Sequence, residues 1–200
     1  MVIGCDGVLA DLRSAVAAAA SEVTGFTYAA SDLPADFALG CNESAWQLDQ
    51  VGLSGADVGR VLGAIAARRG FVASLAPYPG ARDGLRALRA AGAAVSCWAP
   101  TWRELASGEE ERLSWLALHM GIDVVHLAHD PFAVDAAVFV DCSPTAARSW
   151  SRRHRGGEAV IWVRGGDLRG PVPYGCHVTS SWRAIAAIVA DVGRRREDVS

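Results

Sequence analysis

Short apolar runs alternate along this chain with longer stretches whose apolar residues recur every three or four positions. The opening run Val2-Ile3-Gly4-Cys5 ends in Asp6-Gly7 and predicts a buried strand leading into a loop. Leu12 to Val23 is alanine-rich, with Asp11 placed to cap it, and predicts a helix. Thr27 to Asn42 contains Pro34 and Gly40, has no clear period, and reads as loop. Ser44 to Val51 predicts a short helix. Ser54 caps a longer one running to about Arg69, with Val58, Val61, Leu62 and Ile65 on one face and Gly70 as its stop. Pro79-Gly80 then opens a helix over Ala81 to Ala91, ended by Gly92.

Beyond that point strands and helices alternate. Strands are predicted over Ala93–Trp98, Val124–Ala128, Ala137–Val140 and Ala159–Val163. Helices are predicted over Glu109–Met120, Thr145–Arg155 and from a Ser180 or Ser181 cap to about Val192, with a charged tail from Arg194. This order predicts an α/β fold of three layers, a parallel sheet with helices on both faces. Its 200 residues suffice for one such domain.

A formal net charge of -3 gives no broad electrostatic reason to bind nucleic acid or an anionic membrane. No stretch is long and apolar enough to span a bilayer. Met1 runs almost at once into Asp6, so no signal peptide is expected. Five scattered cysteines without CxxC spacing read as reduced thiols, which predicts a cytoplasmic protein. All 19 Lys and Arg residues are arginine.

Ligands of open parallel sheets sit beyond the carboxyl ends of the strands. The strand ends here are Gly4-Cys5-Asp6-Gly7, Trp98-Ala99-Pro100, His129-Asp130-Pro131 and Asp141-Cys142-Ser143. Asp6-Gly7-Val8-Leu9-Ala10-Asp11 after the first strand resembles the first motif of the haloacid dehalogenase (HAD) superfamily. More narrowly, the chain resembles the 5'(3')-deoxyribonucleotidase family within it. Gly70-Phe71, Leu75-Ala76-Pro77-Tyr78-Pro79-Gly80-Ala81, Pro100 followed by Trp115 and Gly121, and Ser181-Trp182-Arg183-Ala184-Ile185 carry the resemblance over nearly the whole chain.

The resemblance implies a single HAD-like domain over 1–193. Its core would be 1–13 and 76–193, with a small helical cap inserted after the first strand over about 14–75. It also implies a phosphatase with an aspartate nucleophile, an aspartate acid/base, a Ser/Thr and a Lys on the phosphoryl oxygens, and Mg2+. Several of these positions are replaced here. The nucleophile position is Gly4, and the acid/base position keeps Asp6. The hydroxyl position falls on Trp98, the lysine position on Pro131, and the acidic pair reads Asp141-Cys142. Asp6 and Asp141 are the remaining candidates for a weak metal site. No cofactor is expected, and Mg2+ only if a residual site survives. The implied ligand cleft comprises Cys5, Gly7, Leu12, Phe71, Trp98, Ala99, Trp102, His129 and Cys142.

Structural readings compete with these roles. Gly4 suits close backbone packing, Asp6 could satisfy loop hydrogen bonds, and Asp11 could act as a helix cap. Cys5 and Cys142 could approach one another, and His126 and His129 flank a strand end. Trp115, Trp150 and Trp182 fall at core spacing, whereas Trp98 and Trp102 flank the expected phosphate site, either filling it or stacking on a planar ligand. Two functions stay open. One is a pseudophosphatase that binds a small metabolite, a nucleotide or a protein partner. The other is a repurposed enzyme using Asp6, His129, Cys5 or Cys142, with a residual nucleotidase as a third reading.

Overall fold

A computed structural model describes residues 1–34, 37, 44–102, 105, 107–128, 133–164 and 171–197. Six parallel strands form one sheet in the order β3-β2-β1-β4-β5-β6. They are β1 (Val2–Gly4), β2 (Ser96–Ala99), β3 (Val125–Leu127), β4 (Val138–Asp141), β5 (Glu158–Trp162) and β6 (Cys176–Thr179). The helices are α1 (Leu12–Thr24), α2 (Ser44–Asp49), α3 (Gly55–Ala67), α4 (Ala81–Ala90), α5 (Gly108–Trp115), α6 (Pro144–Arg153) and α7 (Trp182–Glu197). Strand order reverses between β1 and β4, where a doubly wound sheet opens its crevice.

Side-chain alternation divides the sheet into two faces. Ile3, Cys97, Val138, Val140, Val160 and Trp162 face one core with Leu85 and Leu88 of α4, Trp115 of α5 and Ile185 of α7. Val2, Trp98, Phe139, Ala159 and Ile161 face the other with Ala147 and Trp150 of α6. Trp150 is fully buried, stacks 5.4 Å from Phe139 and donates from Nε1 to the Val134 carbonyl. Trp182 is half-buried against Trp162, with ring centroids 4.6 Å apart. Any side chain at Gly84 would run into the Trp182 ring, so glycine lets α4 and α7 approach closely.

Two elements depart from expectation. β6 lies in a segment for which the sequence predicts no element: Cys-His-Val-Thr, half-buried at the sheet edge, offers no apolar run to read. The expected tail is helical, since Arg194 and Arg195 pair back to Asp191 and Arg195 also reaches Glu158. The predicted caps Asp11 and Ser54 accept from Ser14 N and Asp57 N, each at 3.2 Å.

Helices α1 to α3 lie between β1 and α4, and the chain leaves and returns through paired segments. Asp11 N donates to the Ala76 carbonyl and Tyr78 N to the Leu9 carbonyl, around an antiparallel bridge between Ala10 and Pro77. The turn after α3 is held from the sheet side by Glu111 of α5. Its carboxylate accepts from the backbone amides of Gly70 (2.7 Å), Val72 (3.0 Å) and Ala73 (3.3 Å) and from Ser107 Oγ (2.5 Å).

Burial alone would raise the Glu111 carboxyl, but the bonds from Ser107, Gly70, Ala73 and Val72 outweigh it and hold it below its usual value. Its stabilisation is therefore present above the unfolded glutamate range and is lost as pH falls through the lowered folded value. Glu111→Gln is expected to lower the melting temperature at neutral pH. In urea titrations run at successive pH values, the gap to the unaltered protein should close below about pH 4. A gap independent of pH would remove the charge from this account.

Candidate functional site

At the switch point between β1 and β4, the end of β1 carries no side chain. Gly4 pairs with Trp98 on one side, and β4 lies on the other. A Cβ built on Gly4 would overlap Asp141 Oδ2 and stand 3.0 Å from Asp141 Cγ. The carboxylate of β4 therefore fills the volume that a side chain at Gly4 would enter. Asp141 is 3% exposed, and its Oδ1 accepts from the Ser143 amide at 2.7 Å. Ser143 in turn caps α6 through Ala146 N.

Asp6 follows in a tight turn. Leu9 N and Ala10 N both donate to the Cys5 carbonyl, and Gly7 takes a positive φ of 75° that favours glycine. The Asp6 side chain points to α5, where Oδ1 accepts from Arg112 Nη1 at 2.6 Å. Both side chains are almost completely covered, at 4% and 6% exposure. Burial alone would lower the Arg112 guanidinium, but the Asp6 charge outweighs it and pushes its pKa up, so it stays cationic. The other oxygen of Asp6, Oδ2, is buried with no hydrogen-bond partner among the described residues. Its backbone carbonyl accepts from Cys142 Sγ at 3.3 Å.

Arg112 was missed in the sequence. It stands three and four positions ahead of Trp115 and Leu116, on their buried face, so a cation on an apolar stripe was the available signal. The run Glu109-Glu110-Glu111 before it reads as solvated and hides that signal. A second group missed in the sequence lies beyond β5, where the Arg164 guanidinium sits 2.9 Å over the Tyr78 ring. Burial and the negative charge of Asp11 push the Tyr78 hydroxyl up, so it remains protonated.

The other predicted residues scatter. Trp98 presents little surface for stacking on a ligand. The register puts it on the α6 face beside side-chain-free Gly4, where it is 8% exposed and 6.2 Å from the Phe139 ring. Its Nε1 is buried without a partner among the described residues. Cys5, Leu12, Phe71 and Ala99 are buried in the main core. Cys5 lies against Cys97, whose thiol burial pushes up, with a further contribution from Cys5. His126 of β3 meets Ser96 Oγ at 3.1 Å. His129 and Pro131 lie outside the described residues.

Trp102 does line a cleft, with Val72, Pro100, Leu105, Leu127 and Arg112. Its free volume of about 10 Å3 is roughly the room of one water molecule. Mg2+, which the resemblance implies, needs several oxygen donors around it. Gly4 offers none, Asp6 Oδ1 already faces a guanidinium, and no group of three His, Cys, Asp or Glu among the described residues could hold a metal. The described donors do not fit the ion.

Taking one partner from a buried ion pair leaves an uncompensated charge, at a cost of about 3–5 kcal/mol, whereas an apolar pair is often tolerated. Arg112→Met should therefore destabilise strongly in denaturant titrations, and adding Asp6→Leu should recover most of the loss. Additive losses would mean that the two side chains act separately.

No protein-family model and no curated protein sequence matches the chain. Solved structures do match it over nearly its full length. A putative phosphoglycolate phosphatase from Lactobacillus delbrueckii subsp. bulgaricus is 15% identical, with a TM-score of 0.64 over 94% of this chain and 96% of that one. A dehalogenase is 20% identical, with a TM-score of 0.58 over 94% and 96%. A putative haloacid dehalogenase-like hydrolase from Burkholderia xenovorans is 14% identical, with a TM-score of 0.56 over 96% of each chain. At these identities the likeness is one of architecture, and the chain carries the fold of the haloacid dehalogenase-like hydrolases.

Proposed function

We propose that this chain is a 5'(3')-deoxyribonucleotidase-like member of the HAD superfamily that has lost phosphoryl-transfer chemistry. In this reading it binds a small metabolite, a nucleotide or a protein partner instead. The supporting observation is the Asp141 carboxylate in the volume above Gly4. The nucleophile position is not merely empty: a neighbouring side chain fills it. The acid/base candidate Asp6 is neutralised by Arg112, and Trp98 offers no hydroxyl. Losing a nucleophile alone costs on the order of 10⁶ in rate in well-studied hydrolases. The four described cysteines other than Cys41 are free thiols, in keeping with a cytoplasmic setting.

A second reading rests on Asp6 Oδ2. A buried acceptor without a donor is costly, and a ligand hydroxyl or ammonium would satisfy it. This would suit acid/base work on a small metabolite, without phosphoryl transfer.

Purified protein should show no EDTA-sensitive hydrolysis of deoxyribonucleoside monophosphates or p-nitrophenyl phosphate in millimolar Mg2+. Turnover that EDTA abolishes, and that Asp141→Asn also removes, would overturn the first reading. In a thermal-shift screen of nucleotides and phosphorylated metabolites, a ligand of the cleft should raise the melting temperature equally with and without Mg2+.

A further inference from the structure

Helix α5 grips three parts of the molecule from two successive turns. Glu111 holds the backbone amides of Gly70, Val72 and Ala73 in the turn that ends the inserted helices. Arg112, the next residue, holds Asp6 at the end of β1. One turn further, Trp115 Nε1 donates to the Leu75 carbonyl at 2.7 Å, in the segment returning to the sheet. Ser107 Oγ fixes the Glu111 carboxylate from the start of the helix.

We propose that α5 is a two-pronged clamp that couples the exit turn of the inserted helices, through Glu111, to the Asp6 pocket, through Arg112. Glu111 and Arg112 share a peptide bond inside one helix, so neither prong can shift without moving the other's backbone. The ion pair is buried and short, which makes its geometry discrete rather than graded. The turn's three amides have a single carboxylate as acceptor, so releasing it frees all three together. Arg112 also lines the same cleft as Val72, a residue of the clamped turn. A carboxylate or phosphate that drew Arg112 from Asp6 would therefore loosen the turn, and a partner holding the inserted helices would fix Asp6. Coupling between sites is reciprocal, which makes the proposal testable from either end. It does not depend on whether the site is catalytic.

Amide and guanidinium hydrogen exchange by NMR reads both prongs. Asp6→Asn, which keeps the shape and removes the charge, should speed exchange at Gly70, Val72 and Ala73 by about tenfold. Exchange at Val140 in β4 serves to subtract any global loss of stability. Glu111→Gln should in turn speed exchange of the Arg112 guanidinium protons, while Glu110→Gln, on the exposed side of α5, should change neither. In the unaltered protein at low urea, the three amides and the guanidinium should open as one unit with one denaturant slope. That measurement holds even if a variant fails to fold. Separate slopes, or turn amides that ignore Asp6→Asn, would show two independent tethers and overturn the proposal.

Discussion

One buried ion pair organises the strand-end region of this molecule. Arg112 and Asp6 have both left water, a step that costs several kcal/mol per ion unless each compensates the other. The net stability that such a pair adds over an apolar pair of similar volume is small. The pair fixes the turn after β1, orients α5 and brings Glu111 and Trp115 onto the segment returning from the inserted helices. It also sets the electrostatics: the positive charge beside Asp6 is a covalent part of the chain.

The same logic of internal occupation runs through the rest of the site. Asp141 lies over Gly4 with one oxygen on the Ser143 amide. Tyr78 sits between Asp11 and Arg164. Cys142 donates to the Asp6 carbonyl. In an α/β sheet the switch point is where ligands ordinarily find unsatisfied backbone and side-chain groups. Here the chain's own side chains meet much of that demand, with Asp6 Oδ2, Trp98 Nε1 and Trp162 Nε1 among the buried exceptions in the described residues. A hydrolase-like architecture and a self-satisfied crevice are compatible, because fold and chemistry are separable.

Much of the architecture was legible in the sequence because strand and helix periods differ and caps are local. Val2-Ile3, Val138-Phe139-Val140 and Ala159-Val160-Ile161 announce buried parallel strands, and Asp11 and Ser54 mark helix starts within one turn. β6 was not legible, since an edge strand with one half-solvated face needs no apolar run. Gly4 and Trp98 could be placed at the strand ends by position, but not where their neighbours would go. That Asp141 leans over Gly4, and that Trp98 turns to the α6 face, follow from register across strands distant in sequence. Arg112 was hidden because a charge on a buried stripe is unusual and three glutamates precede it.

The most direct test of internal occupation at the strand ends is a double-mutant cycle between Gly4 and Asp141. If the Asp141 carboxylate fills the Gly4 volume, Gly4→Ala alone should cost about 1–3 kcal/mol, as overpacking does. In an Asp141→Ala background, where the obstructing carboxylate is gone, the same substitution should cost little, leaving a large interaction energy. Equal costs in both backgrounds would contradict the account, because the Asp141 carboxylate would then not be what a side chain at Gly4 meets.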